Sequence, residues 1–334
     1  MRNGTPVERA TVVLLVGEDD ERPAGLSPVE EAADLVVVRT RDDLADAVAR
    51  ADVLAVWDFR TRLLADVWPK AGRVSWIHAA SAGVDAVLLP DLVDSDVVVT
   101  NARGVFDRSI AEYVVGLMLA FAKDLPGTLQ LQRRRQWRHR ETEPLADRRV
   151  LVVGAGSIGR AVARAARALG MVVTGVARQA RRDDPDFAAV HAAGDLLRVL
   201  PDADYVVIAA PLTAATRGMF GHAALAAMRS DARLINVGRG PIVDERALVG
   251  ALGAGEIAGA ALDVFDTEPL PASSELWDVP GLLVSPHMSG DVVGWRTALS
   301  EQFVANFRRW QRGEPLHNVV DKRRGCADSE SPGL

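Results

Sequence analysis

The chain has 334 residues, enough for two domains with separate cores, and its 49% apolar content with mixed charge is that of a soluble globular protein. A net charge of −6 at pH 7 gives no reason to expect a nucleic-acid or membrane partner, and no apolar stretch approaches membrane-spanning length. The single cysteine, Cys326, rules out a disulfide framework within the chain, no H-x-x-x-H or C-x-x-C spacing points to a metal, and the apolar run at the start is too short for a signal peptide, so a cytoplasmic protein is expected.

From the N-terminus, short apolar runs alternate with helix-length segments. Thr11 to Val16, Asp34 to Arg39, Val53 to Trp57, Val74 to His78 and Val97 to Thr100 read as buried strands, with a helix over Leu44 to Ala49. The fourth run is followed by Ser81-Ala82-Gly83-Val84-Asp85 and the fifth by Asn101-Ala102-Arg103-Gly104. Strands spaced by helices mean a parallel α/β sheet, and this first unit, to about residue 105, has no phosphate-binding glycine motif. A long apolar helix is predicted over Ser109 to Lys123, with Ile110, Val114, Leu117 and Phe121 on one face. A second is predicted over Leu129 to Arg140. Its arginines 133, 134, 135 and 138 form a solvated face, an anion contact or a dimer surface, and Trp137 is read as a packing anchor.

The chain is organised around Arg149 to Arg182. A charge-free apolar run, Val150 to Val153, leads into Gly154, Gly156 and Gly159, spaced as G-x-G-x-x-G. A helix with apolar residues at helical spacing runs from Ser157 to Leu169, Gly170 stops it, and a second apolar run covers Met171 to Val176. In this strand–turn–helix–strand frame the first glycine allows the turn and the second lets backbone approach a pyrophosphate. The third lets helix and strand pack closely, and the amides at Ser157 and Ile158 face the phosphates. Where an NAD site places a carboxylate at the end of the second strand, this chain has Ala177, then Arg178, with Arg181 and Arg182 behind. That favours NADP(H), with Arg178 as the main contact to the 2′-phosphate; the alternative is a solvated arginine loop.

The βα rhythm continues. Runs at Tyr205–Ala209, Leu234–Val237, Ile257–Leu262 and Leu282–Ser285 end in polar clusters. Since ligands of open parallel sheets sit beyond the carboxyl ends of strands, one cleft can hold these clusters. Among them Arg239, Glu268 and His287 have the types needed to reduce a 2-oxo acid. A guanidinium grips the carboxylate, a histidine exchanges a proton with the carbonyl oxygen, and a carboxylate orients the imidazole and favours its protonated form. Each also has a structural reading: His287 can cap a strand end, and Arg239 can pair with Asp244 or Asp263. Of the other histidines only His78 ends a strand near such a cluster; His139, His191, His222 and His317 read as surface residues. No G-x-S-x-G is present, which argues against a serine hydrolase. A last helix is expected over Trp295 to Gln311, and the tail from about Cys326 reads as disordered.

Taken together and in order, SAGVD (81–85), TNARG (100–104), AEYV (111–114), GAGSIG (154–159), PLT (211–213), NVGRG (236–240), DVFDTEPL (263–270) and SPHMSG (285–290) resemble the D-isomer-specific 2-hydroxyacid dehydrogenases, over about residues 50 to 320. The resemblance implies two Rossmann-like α/β domains. One is a flavodoxin-like substrate domain from both chain ends, 1–105 with 292–334; the other is an inserted doubly wound dinucleotide-binding domain, 106–291. It implies that Arg239 binds substrate, Glu268 assists and His287 is the acid/base, with the loop Ser81, Ala82, Gly83 and Val84 holding the substrate carboxylate through backbone amides. Cofactor positions implied are Gly154, Gly156, Ser157, Ile158, Gly159, Arg178, Ala210, Pro211, Thr216, Val237, Gly238, Arg239, Asp263, His287, Ser289 and Gly290. It further implies a homodimer through the nucleotide domains, with the Ser109–Lys123 helix in the arm, and hinges near residues 102–110 and 288–295 whose closure excludes water. Formate dehydrogenases of this superfamily carry glutamine at the position of Glu268, and many phosphoglycerate dehydrogenases carry a long C-terminal regulatory domain, so both are disfavoured. Arg178 without an acidic neighbour is similar to the NADP-dependent glyoxylate/hydroxypyruvate reductase-like branch. The implied activity is NAD(P)H-dependent reduction of a 2-oxo acid to a D-2-hydroxy acid, NADP preferred and NAD possible. The alternatives are a dinucleotide-sensing corepressor-like binding protein and an NAD-linked oxidative enzyme.

Overall fold

The computed structural model describes residues 9–327. The chain divides into two compact units, Met1–Val105 with Val293–Leu334, and Phe106–Val292.

In the first unit, β1 (Thr11–Leu15), α1 (Ser27–Ala32), β2 (Asp34–Val38), α2 (Arg41–Val48), β3 (Val53–Val56), α3 (Leu63–Val67), β4 (Trp76–Ala79), α4 (Pro90–Val93) and β5 (Val98–Asn101) follow one another. The five strands form one parallel sheet in the order β2-β1-β3-β4-β5, a flavodoxin-like order that reverses between β1 and β3. β3 and β4 are buried along their whole length, as parallel strands covered on both faces should be. The Thr40 hydroxyl caps α2 by accepting the Asp43 amide.

The second unit comprises α5 (Asp107–Ala122), α6 (Leu125–Arg133), β6 (Arg149–Val153), α7 (Ser157–Ala168), β7 (Val172–Ala177), β8 (Val190–Ala192), α8 (Leu196–Val199), β9 (Tyr205–Ile208), α9 (His222–Ala226), β10 (Arg233–Asn236), α10 (Glu245–Ala254), β11 (Gly259–Leu262) and β12 (Leu282–Val284). Its seven strands are all parallel, in the order β12-β11-β10-β9-β6-β7-β8. The direction of winding reverses between β6 and β9, which places the glycine turn after β6 at the switch point where dinucleotides bind in such sheets. The core runs from Leu151 and Val153 through Val206 and Ile208 to Leu234, Ala260 and Leu262. The chain then returns to the first unit with α11 (Trp295–Gln311), β13 (Val320–Asp321) and β14 (Cys326–Ala327).

The two-sheet α/β architecture is the fold class expected, and each predicted strand lies within two residues of its observed bounds. Four expectations change. The helix predicted over Leu129 to Arg140 is instead α6, which stops at Arg133: Arg135 turns into the left-handed region (φ 54) and the Gln136 amide donates to Leu131 O at 2.9 Å. The chain then doubles back, and Arg140 donates through Nε to Asp124 Oδ2 at 2.7 Å and through Nη2 to Asp124 O at 2.8 Å. Trp137 in that returning segment is wholly exposed, not a packing anchor. On α5 the buried line is Ile110, Val114, Met118 and Ala122, leaving Leu117 and Phe121 half-buried at its margin. The tail does not lose order at Cys326, because β14 pairs antiparallel with β13 and the Lys322 ammonium donates to Leu92 O at 2.9 Å and Val97 O at 3.1 Å. Residues 328–334 of the tail lie outside the described residues.

Candidate active site

The glycine turn has the spatial logic the motif demands. Gly154 sits at φ 107, and a Cβ there would stand 2.6 Å from the Ala209–Ala210 backbone; a Cβ on Gly159 would stand 1.9 Å from Gly154 O. Gly156 faces open space, with nothing within 4 Å of its Cβ position. Two glycines therefore serve packing and the third leaves room for an approaching phosphate at the start of α7, where Ser157 and Ile158 present first-turn amides.

The arginines on α7 and past β7 differ in their partners. Arg160 on α7 grips Asp184 with two 2.8 Å bonds and also meets Asp186 at 2.8 Å, while Arg164 reaches Asp186 at 3.2 Å. The Arg160 hydrogen bonds hold the Asp184 carboxyl below its ordinary range although burial opposes them, and Arg160 is raised in turn. Arg181 lies against the glycine turn, 3.3 Å from Ala155 O. Arg178 and Arg182 are exposed and have no ion pair among the described residues.

At the carboxyl end of β10, Asn236 is fully buried. Its Nδ2 donates to Arg239 O at 3.0 Å and its Oδ1 accepts the Gly238 amide at 3.0 Å, fixing the backbone that carries the half-buried Arg239. Beyond β11, the Glu268 carboxylate accepts the Phe265 amide at 3.0 Å on one oxygen, and its other oxygen lies 2.7 Å from His287 Nδ1. Burial pushes the Glu268 carboxyl up. Hydrogen bonds from His287 and the Phe265 amide, with the His287 and Arg239 charges, outweigh it and hold the group below the ordinary glutamate range.

His287 follows β12 in a left-handed backbone conformation, φ 54, and its loop is pinned by Asp263. The Asp263 carboxylate is 1% exposed and accepts Ser285 Oγ at 2.7 Å, the Met288 amide at 3.0 Å and the Ser289 amide at 2.9 Å, while its carbonyl accepts the His287 amide at 2.7 Å. Ser109 Oγ holds Gly290 O at 3.1 Å. Arg239, Glu268 and His287 thus come together at adjacent strand ends, and Asn236 and Asp263 emerge as their supports. Sequence reasoning missed the support from Asn236, and it read Asp263 as a cofactor contact or a structural partner of Arg239 rather than as the anchor of the His287 loop.

Other expected positions fall in this unit too. Ala210, Val237, Gly238, Ser289 and Gly290 are buried around these strand ends. Thr216 closes its own turn, donating to Pro211 O at 2.7 Å and accepting the Thr213 amide at 2.8 Å. In the first unit, the loop after β4 is braced by Asn101 Nδ2 on Ala82 O at 2.7 Å and by the Ala102 amide on Ser81 O at 2.9 Å. The amides of Ser81, Ala82, Gly83 and Val84 have no acceptor among the described residues, so the loop is chemically able to bind a carboxylate. His78, the other histidine singled out, is a core residue. It is 0% exposed, with Nδ1 2.9 Å from Thr100 Oγ1 and its ring against Trp76 and Phe303, and burial lowers it to about 3 so that it stays neutral.

Residues 115–289 match the family described as "D-isomer specific 2-hydroxyacid dehydrogenase, NAD binding domain". The chain belongs to the D-isomer-specific 2-hydroxyacid dehydrogenases. This dehydrogenase is 31% identical to a glyoxylate reductase of Thermofilum pendens over 89% of the chain and 91% of that enzyme. It is 30% identical to the D-3-phosphoglycerate dehydrogenase of Methanocaldococcus jannaschii over 93% of the chain, but spans only 60% of that protein's length. Among solved structures, a D-isomer specific 2-hydroxyacid dehydrogenase of Xanthobacter autotrophicus in complex with NADPH and MES superposes with a TM-score of 0.79 and 32% identity, covering 95% of this chain and 99% of that one. The dehydrogenase is thus a nicotinamide-dinucleotide oxidoreductase of 2-oxo and 2-hydroxy acids. Among its described residues no single helix is long and apolar enough to cross a membrane, and no group of side chains could hold a metal ion.

Proposed function

We propose that this dehydrogenase uses NADPH to reduce a small 2-oxo acid of the glyoxylate or hydroxypyruvate class to the D-2-hydroxy acid. The observation that carries the reading is the Glu268–His287 pair at 2.7 Å at the strand ends that also bear Arg239. Nδ1 of His287 is committed to Glu268, so Nε2 is the nitrogen that passes a proton to the carbonyl oxygen of the substrate. Glu268, held ionised, fixes the ring's orientation through its bond to Nδ1. Arg239 holds the substrate carboxylate and polarises the carbonyl. The bound dinucleotide supplies the hydride to C2. The open face of Gly156, the amides at the start of α7 and the exposed guanidiniums of Arg178 and Arg182 fit a pyrophosphate and a 2′-phosphate. The NADPH complex of the Xanthobacter relative and the activity named for the Thermofilum relative support cofactor and substrate class.

The reading is tested by initial rates with NADPH and NADH against glyoxylate, hydroxypyruvate, pyruvate and larger 2-oxo acids. NADPH is expected to be preferred. Arg178→Ala should raise its KM about 10–100-fold, the worth of one charge-assisted phosphate contact, while leaving that of NADH unchanged. His287→Ala should cut kcat by about 10²–10⁴-fold. NADH preference in the wild-type enzyme would return the arginines to a solvated loop, and unchanged turnover in His287→Ala would remove the mechanism.

The working form is proposed to be a cytoplasmic homodimer through the nucleotide-binding unit. Leu125 and Leu129 on α6 and Trp137 in the segment that doubles back from it are each exposed, which supports this pairing.

A further inference from the structure

A second glutamate, which none of the site motifs includes, holds the segment that carries Glu268. Segment 263–268, which carries Glu268, is packed against the segment that follows Arg239. A Cβ on Gly240 would stand 1.9 Å from Phe265 C and 2.5 Å from Asp266 N, so only the bare glycine lets the Phe265–Asp266 peptide lie there. On the other side, Glu245, the first residue of α10, accepts the Asp266 amide on Oε1 at 2.8 Å. The preceding amide, that of Phe265, is the one bound by Glu268 at 3.0 Å. Consecutive N–H groups are therefore held by two carboxylates. The peptide between them is trapped between the glycine that follows the substrate arginine and the start of α10.

We infer that Glu245 is a positioning residue for the Glu268–His287 pair, holding the Phe265–Asp266 peptide through its hydrogen bond to the Asp266 amide. The inference rests on the proposed roles of Glu268 and His287. Its physical content is reach rather than charge. If the Asp266 amide is released, the peptide shifts away from Gly240, the Phe265 amide leaves Glu268, and Glu268 loses one of the two bonds that keep it ionised and aimed at His287. The charged neighbours are defined on both sides. Glu245 faces Asp266 and Asp244, Asp266 faces Arg217, and Glu268 faces His287 and Arg239. Burial and the neighbouring acids raise the Glu245 carboxyl, so it is retained at some electrostatic cost.

Two variants separate reach from charge. Glu245→Gln keeps a carbonyl at the same distance, whereas Glu245→Asp keeps the charge and the helix-start preference but withdraws the acceptor by one methylene. The measurement is the pH dependence of kcat/KM for glyoxylate reduction by the full-length enzyme, with melting temperature followed in parallel. Asp244→Ala, which removes the α10 cap on the Ala247 amide, reports a purely structural loss, and Glu268→Gln identifies the acid limb. Glu245→Asp should move the acid limb up by about one pH unit, as expected for losing one hydrogen bond to a carboxylate. It should also lower kcat about tenfold, in line with a sub-ångström misplacement, and leave the KM for NADPH unchanged. Glu245→Gln should stay near wild type, and Asp244→Ala should lose melting temperature without moving the limb. The inference is overturned if Glu245→Asp lowers only the melting temperature, or if Glu245→Gln shifts the limb as far as Glu245→Asp. If Glu268→Gln itself retains the wild-type acid limb, the fault lies in the proposed role of Glu268.

Discussion

Glu268 places one oxygen on a backbone amide and the other on an imidazole, so its ionisation decides whether both bonds survive. Its pKa is lowered in the folded protein, so the sign of the pH effect is fixed: the bonds are fully present above the unfolded value of about 4.3 and are lost as pH falls through the lower folded value. The wild-type acid limb in kcat/KM should therefore lie below the ordinary glutamate range, and Glu268→Gln should remove that limb while lowering kcat by about 10²-fold. A wild-type limb at or above the ordinary value would contradict the geometry. Residue types at this scale were legible in the chain, because arginine, glutamate and histidine each follow a short apolar run and parallel strands deliver their ends to one side. Their supports were not legible. Nothing in the spacing of Asn236 reveals that its amide bridges Gly238 and Arg239, and Asp263 reads as one acid among several until its three partners on the His287 loop are seen.

Among elements, the turn between β6 and α7 makes two glycines answer differently to the same substitution. Gly159→Ala drives a methyl into Gly154 O, so it should separate helix from strand and lower both melting temperature and nucleotide affinity. Gly156→Ala meets no protein atom and should fold with an unchanged melting temperature while the nucleotide KM rises about tenfold or more, since the methyl occupies the approach of a phosphate. Equal melting-temperature losses in the two variants would show that Gly156 also serves packing. The turn was readable because its glycines stand at fixed offsets inside a strand–helix–strand frame. The end of α6 was not readable, because no glycine or proline marks it. A left-handed arginine at 135 and the pairing of Arg140 with Asp124 across 16 residues stop a helix whose composition would otherwise continue. Local propensity lost there to a pairing 16 residues apart that helical spacing does not reveal.

At the scale of the molecule, each unit buries its own parallel sheet, and the chain leaves the first unit and returns to it through α11. A second copy of the chain is the partner proposed for the apolar residues left exposed on the nucleotide-binding unit. Leu129→Asp with Trp137→Ser should convert a dimer to a monomer in light scattering, with little change in single-chain melting because neither side chain is buried within the chain. An unchanged mass would mean the pairing face lies elsewhere. Trp137 also gives that equilibrium an optical signature. Of the seven tryptophans, it alone is fully exposed, whereas Trp57 and Trp76 are locked in the core of the first unit. Its indole should emit at the red end of the tryptophan range and yield readily to acrylamide in dilute solution. As concentration rises and the copies meet, its emission should move to the blue and the quencher should lose access, so the unlabelled chain reports its own assembly.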